Sequence, residues 1–142
     1  MENCEYKNGI TCHAQRRNSY TVRDSSQWPY KLSLAPLGAP YLDDSHLIIA
    51  ADCTAYSCKN FYDLFKKDAV TLILCPRSKE CDYTARLKQI ILDNDIKSVT
   101  LVRMEADCCS ITEEIFKAAL KESGKFIPWQ LVTLSTDGKI IN

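Results

Sequence analysis

Apolar residues along this chain fall into two alternating patterns. Four short runs are almost continuously apolar: HLIIAAD at 46–52, VTLIL at 70–74, SVTLVRM at 98–104 and WQLVTLS at 129–135. Unbroken aliphatic and β-branched runs of this length predict strands buried on both faces. Between them, apolar residues recur at helical spacing. Phe61, Leu64 and Phe65 mark a helix over 60–67, and Tyr83, Leu87, Ile90 and Ile91 mark one over 80–93. Ile111, Ile115, Phe116, Ala119 and Leu120 mark a third over 110–123. Ser110 and Glu113 match a capping box for that helix, and Gly124 suits its end. Residues 30–34 alternate between Pro29 and Pro36 and predict a further first strand. Thr136-Asp137-Gly138 predicts a turn, after which Ile140-Ile141 could form a short terminal strand.

The resulting order, β-β-α-β-α-β-α-β, predicts an α/β fold. Strands joined through helices must run parallel and be covered on both faces. The expectation is a three-layer sandwich around a mainly parallel, Rossmann-like or flavodoxin-like sheet of about five strands. Residues 1–26 carry few core-type side chains and read as a partly flexible N-terminal tail. Residues 27–142 read as a single α/β domain.

Charge removes several function classes. Lys+Arg and Asp+Glu each number 18, so net charge is near zero and no electrostatic case exists for nucleic acid or an anionic membrane. No apolar stretch approaches the ~18 residues of a membrane span. The first residues lack the apolar core of a secretory signal, so a cytoplasmic location is expected. The four glycines, at 9, 38, 124 and 138, form no phosphate-binding loop.

Cysteine changes the picture most. Eight are present, many for a chain whose apolar strands do not need disulfides. Three of the predicted strands lead directly into them: Cys53, Cys75, and Cys108-Cys109. Ligands of parallel α/β sheets bind outside the carboxyl ends of the strands. Neighbouring strands lie about 5 Å apart. Four thiols could therefore meet in one small volume, as ligands of a metal centre or as redox groups. A helix start after Cys109 favours the thiolate form. Packing of cysteine as a small buried hydrophobe is the plainer alternative. Cys58 and Cys81 could add ligands or resolving thiols, and Cys4, Cys12 and His13 could bind metal in the tail. Asp52, Arg103, Glu105 and Asp107 could tune such a site, and Tyr56, Phe61 and Tyr62 could shield it. His46, at a strand start, reads as a surface residue.

The run QWPYKLSLAPLGAPYLDDSHLIIAADCTAY resembles the start of a prokaryotic family of iron–sulfur cluster-binding, ferredoxin-like oxidoreductases. VTLILCP, DNDIKSVTLVRMEADCC and SGKFIPWQLVTLSTDGKII resemble later segments of the same family, so the likeness runs over 27–142. Longer members carry an upstream ferredoxin-type 4Fe–4S segment with closely spaced cysteines, and no such spacing occurs here. CPRSKECD stands where the family has CPKLDD, and Asp107-Cys108-Cys109-Ser110 stands where it has PCC followed by glycine. The resemblance implies a cysteine-rich redox protein with thiols at three strand ends.

The combined expectation is a small redox protein. Cys53, Cys75, Cys108 and Cys109 would bind an iron–sulfur cluster for electron transfer with a larger partner protein. Zinc in a structural or regulatory site is one alternative. A metal-free thiol or sulfur-transfer enzyme using Cys108 or Cys109 is another. Edge segments near Trp28, Tyr30 and Ile140-Ile141 could pair two copies as a homodimer.

Overall fold

The computed structural model describes residues 27–141. Four strands, β1 (Ser45–Ala51), β2 (Val70–Leu74), β3 (Ile96–Met104) and β4 (Trp129–Leu134), form one sheet. Their spatial order is β2-β1-β3-β4, and every neighbouring pair is parallel. The helices are α1 (Asp52–Ser57), α2 (Tyr83–Asp93) and α3 (Ile111–Ser123). The fold is α/β, as the strand–helix alternation predicts.

Strand alternation divides the apolar residues between two faces. Leu47, Ile49, Leu72, Leu74, Val99 and Leu101 join Leu87, Ile90 and Ile91 of α2 and Phe116 and Ala119 of α3 in one core cluster. Fully burying each large aliphatic side chain contributes about 1.5–3 kcal/mol, so this face supplies most of the apolar stabilisation. On the opposite face Ile48, Ala50, Val102, Met104 and Leu134 pack with Cys58, Phe61 and Phe65. The segment joining β1 to β2 therefore covers one face, while α2 and α3 cover the other.

Specific polar contacts fasten the helices. Asp82 caps α2 by accepting from the Ala85 amide at 3.1 Å. Buried Asn94 donates to the Leu37 and Ile90 carbonyls, both at 2.8 Å. Lys125 Nζ donates to the carbonyls of Ile91 (2.7 Å) and Asn94 (3.0 Å), which satisfies acceptors left over at the end of α2. Gly124 closes α3 at φ +74°, the left-handed conformation that glycine adopts without a Cβ penalty.

Several elements depart from the sequence expectation. Among the described residues the sheet has four strands, against an expectation of about five. Residues 30–34 make only one bridge, Lys31 to Ile73 at the free edge of β2, before the chain turns. Pro36 and the turn hydrogen bonds from Leu34 and Ala35 back to Lys31 prevent a longer pairing. The helix expected over 60–67 is a single wide turn, Tyr62–Lys66, with the Lys67 amide bonded to the Tyr62 carbonyl at 2.9 Å. The five-residue hydrogen-bond spacing keeps Phe61 and Phe65 inside and leaves Leu64 exposed. In α3, Ser110 makes no side-chain cap, because a 3-10 turn over Asp107–Cys109 feeds helical backbone straight into the helix. Ile111 consequently lies on the outside. The final residues form a tight hairpin, with Ile140 bridged antiparallel to Leu134.

Candidate functional site: the crevice between β1 and β3

Strand order places the crevice. From β1 the chain moves outward to β2, then returns across β1 to β3 and continues to β4. The connections leaving β1 and β3 thus run to opposite faces, and the sheet opens between their carboxyl ends. Residues following these two strands line the opening. Cys53 is the second residue of α1, directly after β1. Cys108 and Cys109 lie in the 3-10 turn between β3 and α3.

Three cysteines follow these two strand ends. Cys53 and Cys108 are exposed and Cys109 is buried. The Cys109 thiol is pushed up from its ordinary value, mainly by burial. A backbone hydrogen bond at Met104 opposes this, and the charge and hydrogen bond of Cys108 and the charge of Cys53 add to it. Thiols from two strand ends are therefore close enough to act on one another. Behind them Ala51, Met104 and Leu134 form an apolar wall.

Three residues close in sequence to these strand ends carry a buried polar atom without a partner. Asp52 Oδ1, Arg103 Nε and Thr112 Oγ1 are buried with no hydrogen-bond partner among the described residues. A buried polar atom left unpaired costs about 1–3 kcal/mol. Burial, the largest influence, pushes the Asp52 carboxyl up, while Lys31 opposes and Glu80 adds to the shift. Proteins concentrate such uncompensated groups at functional sites.

The family described as Rossmann-like domain matches residues 39–142, from the loop before β1 to the last residue. The chain belongs to that family. A relative from Archaeoglobus fulgidus, named only as an uncharacterized protein, is 32% identical over 105 residues, covering 73% of this chain and 74% of the relative. No solved structure matches. In this Rossmann-like domain Cys53, Cys108 and Cys109 follow the two strands that flank the switch point, the place where such sheets bind ligands.

Other sequence candidates fall elsewhere. Cys75 follows β2 on the far side of β1 and is not among the groups acting on Cys109. Its backbone carbonyl accepts from the Tyr83 hydroxyl and from Ser78 Oγ, each at 3.1 Å. Cys58 is buried in the core cluster beneath α1. Cys81 packs against the opposite cluster, and its thiol is pushed up chiefly by burial, with Arg86 opposing. Glu105 accepts from the Thr136 amide at 3.0 Å, which ties down the C-terminal turn. Tyr56 is 96% exposed and Tyr62 is exposed, so neither shields the thiols. Cys4, Cys12 and His13 lie outside the described residues. Among the described residues, no three or more His, Cys, Asp or Glu side chains are grouped to hold a single metal ion, and no helix is long and apolar enough to cross a membrane.

The structure adds two features that the sequence pattern hides. One is α1 itself, which begins inside the AADC run; the Thr54 hydroxyl, bonded to the Ala51 carbonyl at 2.7 Å, marks its first turn. The other is Thr112, which looks like an ordinary helix residue until its burial is known. A separate open groove of about 220 Å³ lies toward the amino-terminal ends of β3 and β4. There His46 is bonded to Ser98 and, at 3.1 Å, to Thr100, so it belongs to a polar row across the sheet and lies away from the thiols.

Proposed function

We propose that this Rossmann-like domain is a small redox protein that holds an iron–sulfur cluster and exchanges electrons with a larger partner protein. Cys53, Cys108 and Cys109 would be its ligands at the switch point, with Cys75 as the fourth thiol from the neighbouring strand end. One observation carries this reading: strand order sets Cys53, after β1, and Cys108 and Cys109, after β3, at the carboxyl ends of neighbouring strands. The donor set fits in kind, since clusters are held by cysteine thiolates. A cluster also separates its thiolates by the width of its inorganic core, which a single ion does not.

When bound, such a cluster takes up and releases single electrons. The chain's own residues would do the rest. Exposed Cys53 and Cys108 keep the centre within reach of a partner surface. Ala51, Met104 and Leu134 exclude water from its inner side. Ligation removes the thiol protons. Burial favours the protonated form of Cys109, so metal uptake should strengthen as pH rises.

A second reading is favoured by exposed Cys108 standing next to buried Cys109 and by the distance of Cys75 from the trio in strand order. In it the three thiols work without metal, with exposed Cys108 or Cys53 as the nucleophile. Iron and acid-labile sulfide, measured with a visible spectrum on protein purified without oxygen, separate the two. Both elements with a brown absorbance support the cluster. Stoichiometric zinc in colourless protein would make the centre structural. No metal after attempted reconstitution leaves the thiol chemistry.

A further inference from the structure

The two edges of the sheet are finished differently. At β2 the chain closes its own edge. The Gln27 side chain accepts from the Thr71 amide at 2.9 Å and donates to the Thr71 carbonyl. The Ile73 amide donates to the Tyr30 carbonyl at 2.9 Å, and the Leu32 amide to the Ile73 carbonyl at 2.8 Å. β4 is the other edge. There the Ile141 amide donates to the Thr133 carbonyl at 2.9 Å. Peptide groups alternate in direction along a strand. Those of Trp129 and Leu131 therefore point outward with that of Thr133, and no described residue pairs with them.

We propose that this free edge pairs with the same edge of a second copy of the chain, β4 antiparallel to β4, about a two-fold axis at Gln130. This goes beyond the redox reading and does not depend on any metal.

The free groups are self-complementary. In an antiparallel hydrogen-bonded pair, two residues exchange both N–H···O bonds. With Gln130 facing Gln130 of the second copy, Trp129 exchanges both bonds with Leu131 of that copy, and the two-fold repeats the pair. The outward groups of Trp129 and Leu131 are then all used. The pairing stops before Thr133, where Ile141 already stands. Facing residues of such a pair lie on the same side of the sheet. Trp129, which meets the Phe116 ring edge-on at 5.3 Å between centroids, and Leu131 both belong to the side covered by α3. The register thus sets apolar residues opposite one another.

The flanking chemistry selects a second copy as the occupant. Residues 126–136 carry no charge, so two copies meet without like-charge repulsion. β4 itself has none of the lysines or prolines that guard natural sheet edges. Antiparallel pairing also brings the residues before β4 of one copy toward the residues after β4 of the other. Exposed apolar side chains sit at those two ends: Phe126 (93% exposed) before the strand, and Ile140 and Ile141 (49% and 54%) after it. The edge therefore complements its own copy at its ends as well as at its centre.

Sedimentation equilibrium of the full chain tests this, with a thiol reductant present to prevent cross-linking through the exposed cysteines. A reversible dimer is expected. Gln130→Lys and Gln130→Glu each set like charges opposite one another at the axis and should weaken the dimer about fivefold. An equal mixture of the two variants sets opposite charges there and should recover the wild-type affinity. Both variants lose the Gln130 hydrogen bond to Thr100 Oγ1 (3.1 Å), so the mixture isolates the charge. A wild-type monomer at every concentration, variants that dimerise as tightly as the wild type, or a mixture that recovers nothing would overturn the proposal. If the variants do not fold, amide exchange in the wild-type protein decides. Protection of the Trp129 and Leu131 amides that rises with protein concentration supports the pairing, and concentration-independent exchange overturns it. None of these readouts involves iron or sulfide, so this proposal and the cluster reading fail separately.

Discussion

Two regions at the carboxyl edge of the sheet differ in how their polar groups are satisfied. Beyond β2 the chain completes its own hydrogen bonds. Tyr83 bridges the Cys75 carbonyl and Ser78, and Glu80 takes both Lys31 Nζ and Ser33 Oγ at 2.7 Å. Beyond β1 and β3, Arg103 Nε and Thr112 Oγ1 are buried with no hydrogen-bond partner among the described residues, and Cys53, Cys108 and Cys109 follow the two strand ends. The first region is a closed structural loop. The second holds groups whose burial the fold itself does not repay, which is the mark of a site shaped for something other than stability.

The comparison can be broken at its edges, and the largest effect should come from Gly138. A Cβ there would lie 1.9 Å from the Ser57 carbonyl oxygen, and its φ is +89°. The C-terminal turn thus rests directly on the end of α1, the helix that carries Cys53. Gly138→Ala should destabilise by about 2–4 kcal/mol in denaturant titration and raise the alkylation rate of Cys109. Unchanged stability would mean that the turn does not hold α1 in place.

Tyr83→Phe tests the closed loop. Removing a hydroxyl bonded to Cys75 and Ser78 should cost about 1 kcal/mol and leave thiol reactivity at Cys53 and Cys108 unchanged. Thr112→Val tests the open crevice with the opposite sign. It removes a buried hydroxyl that has no partner, so stability should stay level or rise by up to about 1 kcal/mol. A loss as large as that of Tyr83→Phe would erase the distinction between the regions.

The smallest effect should be at the Lys31–Glu80 pair. Its side chains are 41% and 35% exposed, so Glu80→Gln should cost under about 1 kcal/mol and less in high salt. The Lys31 and Ser33 hydrogen bonds hold the Glu80 carboxyl below the usual carboxylate range. Its contribution is therefore present above that range and lost as pH falls through the lowered value. Thermal melts in that acid window should show the wild type converging on the variant.

Much of the fold was legible because burial imposes period. VTLIL is β2 to the residue, and Tyr83, Leu87, Ile90 and Ile91 are the buried stripe of α2. Legibility failed where local hydrogen bonding overrode pattern. The wide turn at 62–66 moved Leu64 outward, and the 3-10 turn before α3 displaced the capping box at Ser110. The thiols of Cys53, Cys108 and Cys109 could be anticipated from strand ends alone. Which strands are neighbours could not, and that decides that β1 and β3 flank the switch point while Cys75 stands beyond β1. The unpartnered atoms of Arg103 and Thr112 had no sequence signature, since burial without a partner is a property of the packed chain.

The most direct test of the central claim compares Cys53→Ser with Cys81→Ser, both purified without oxygen, by iron and sulfide content per chain. The account predicts that the Cys53 variant loses both, because it removes a thiol at the switch point. The Cys81 variant should keep both at the wild-type level, because it removes a thiol packed against the far core. Equal retention in the two variants, or no iron in the wild-type protein, would contradict it.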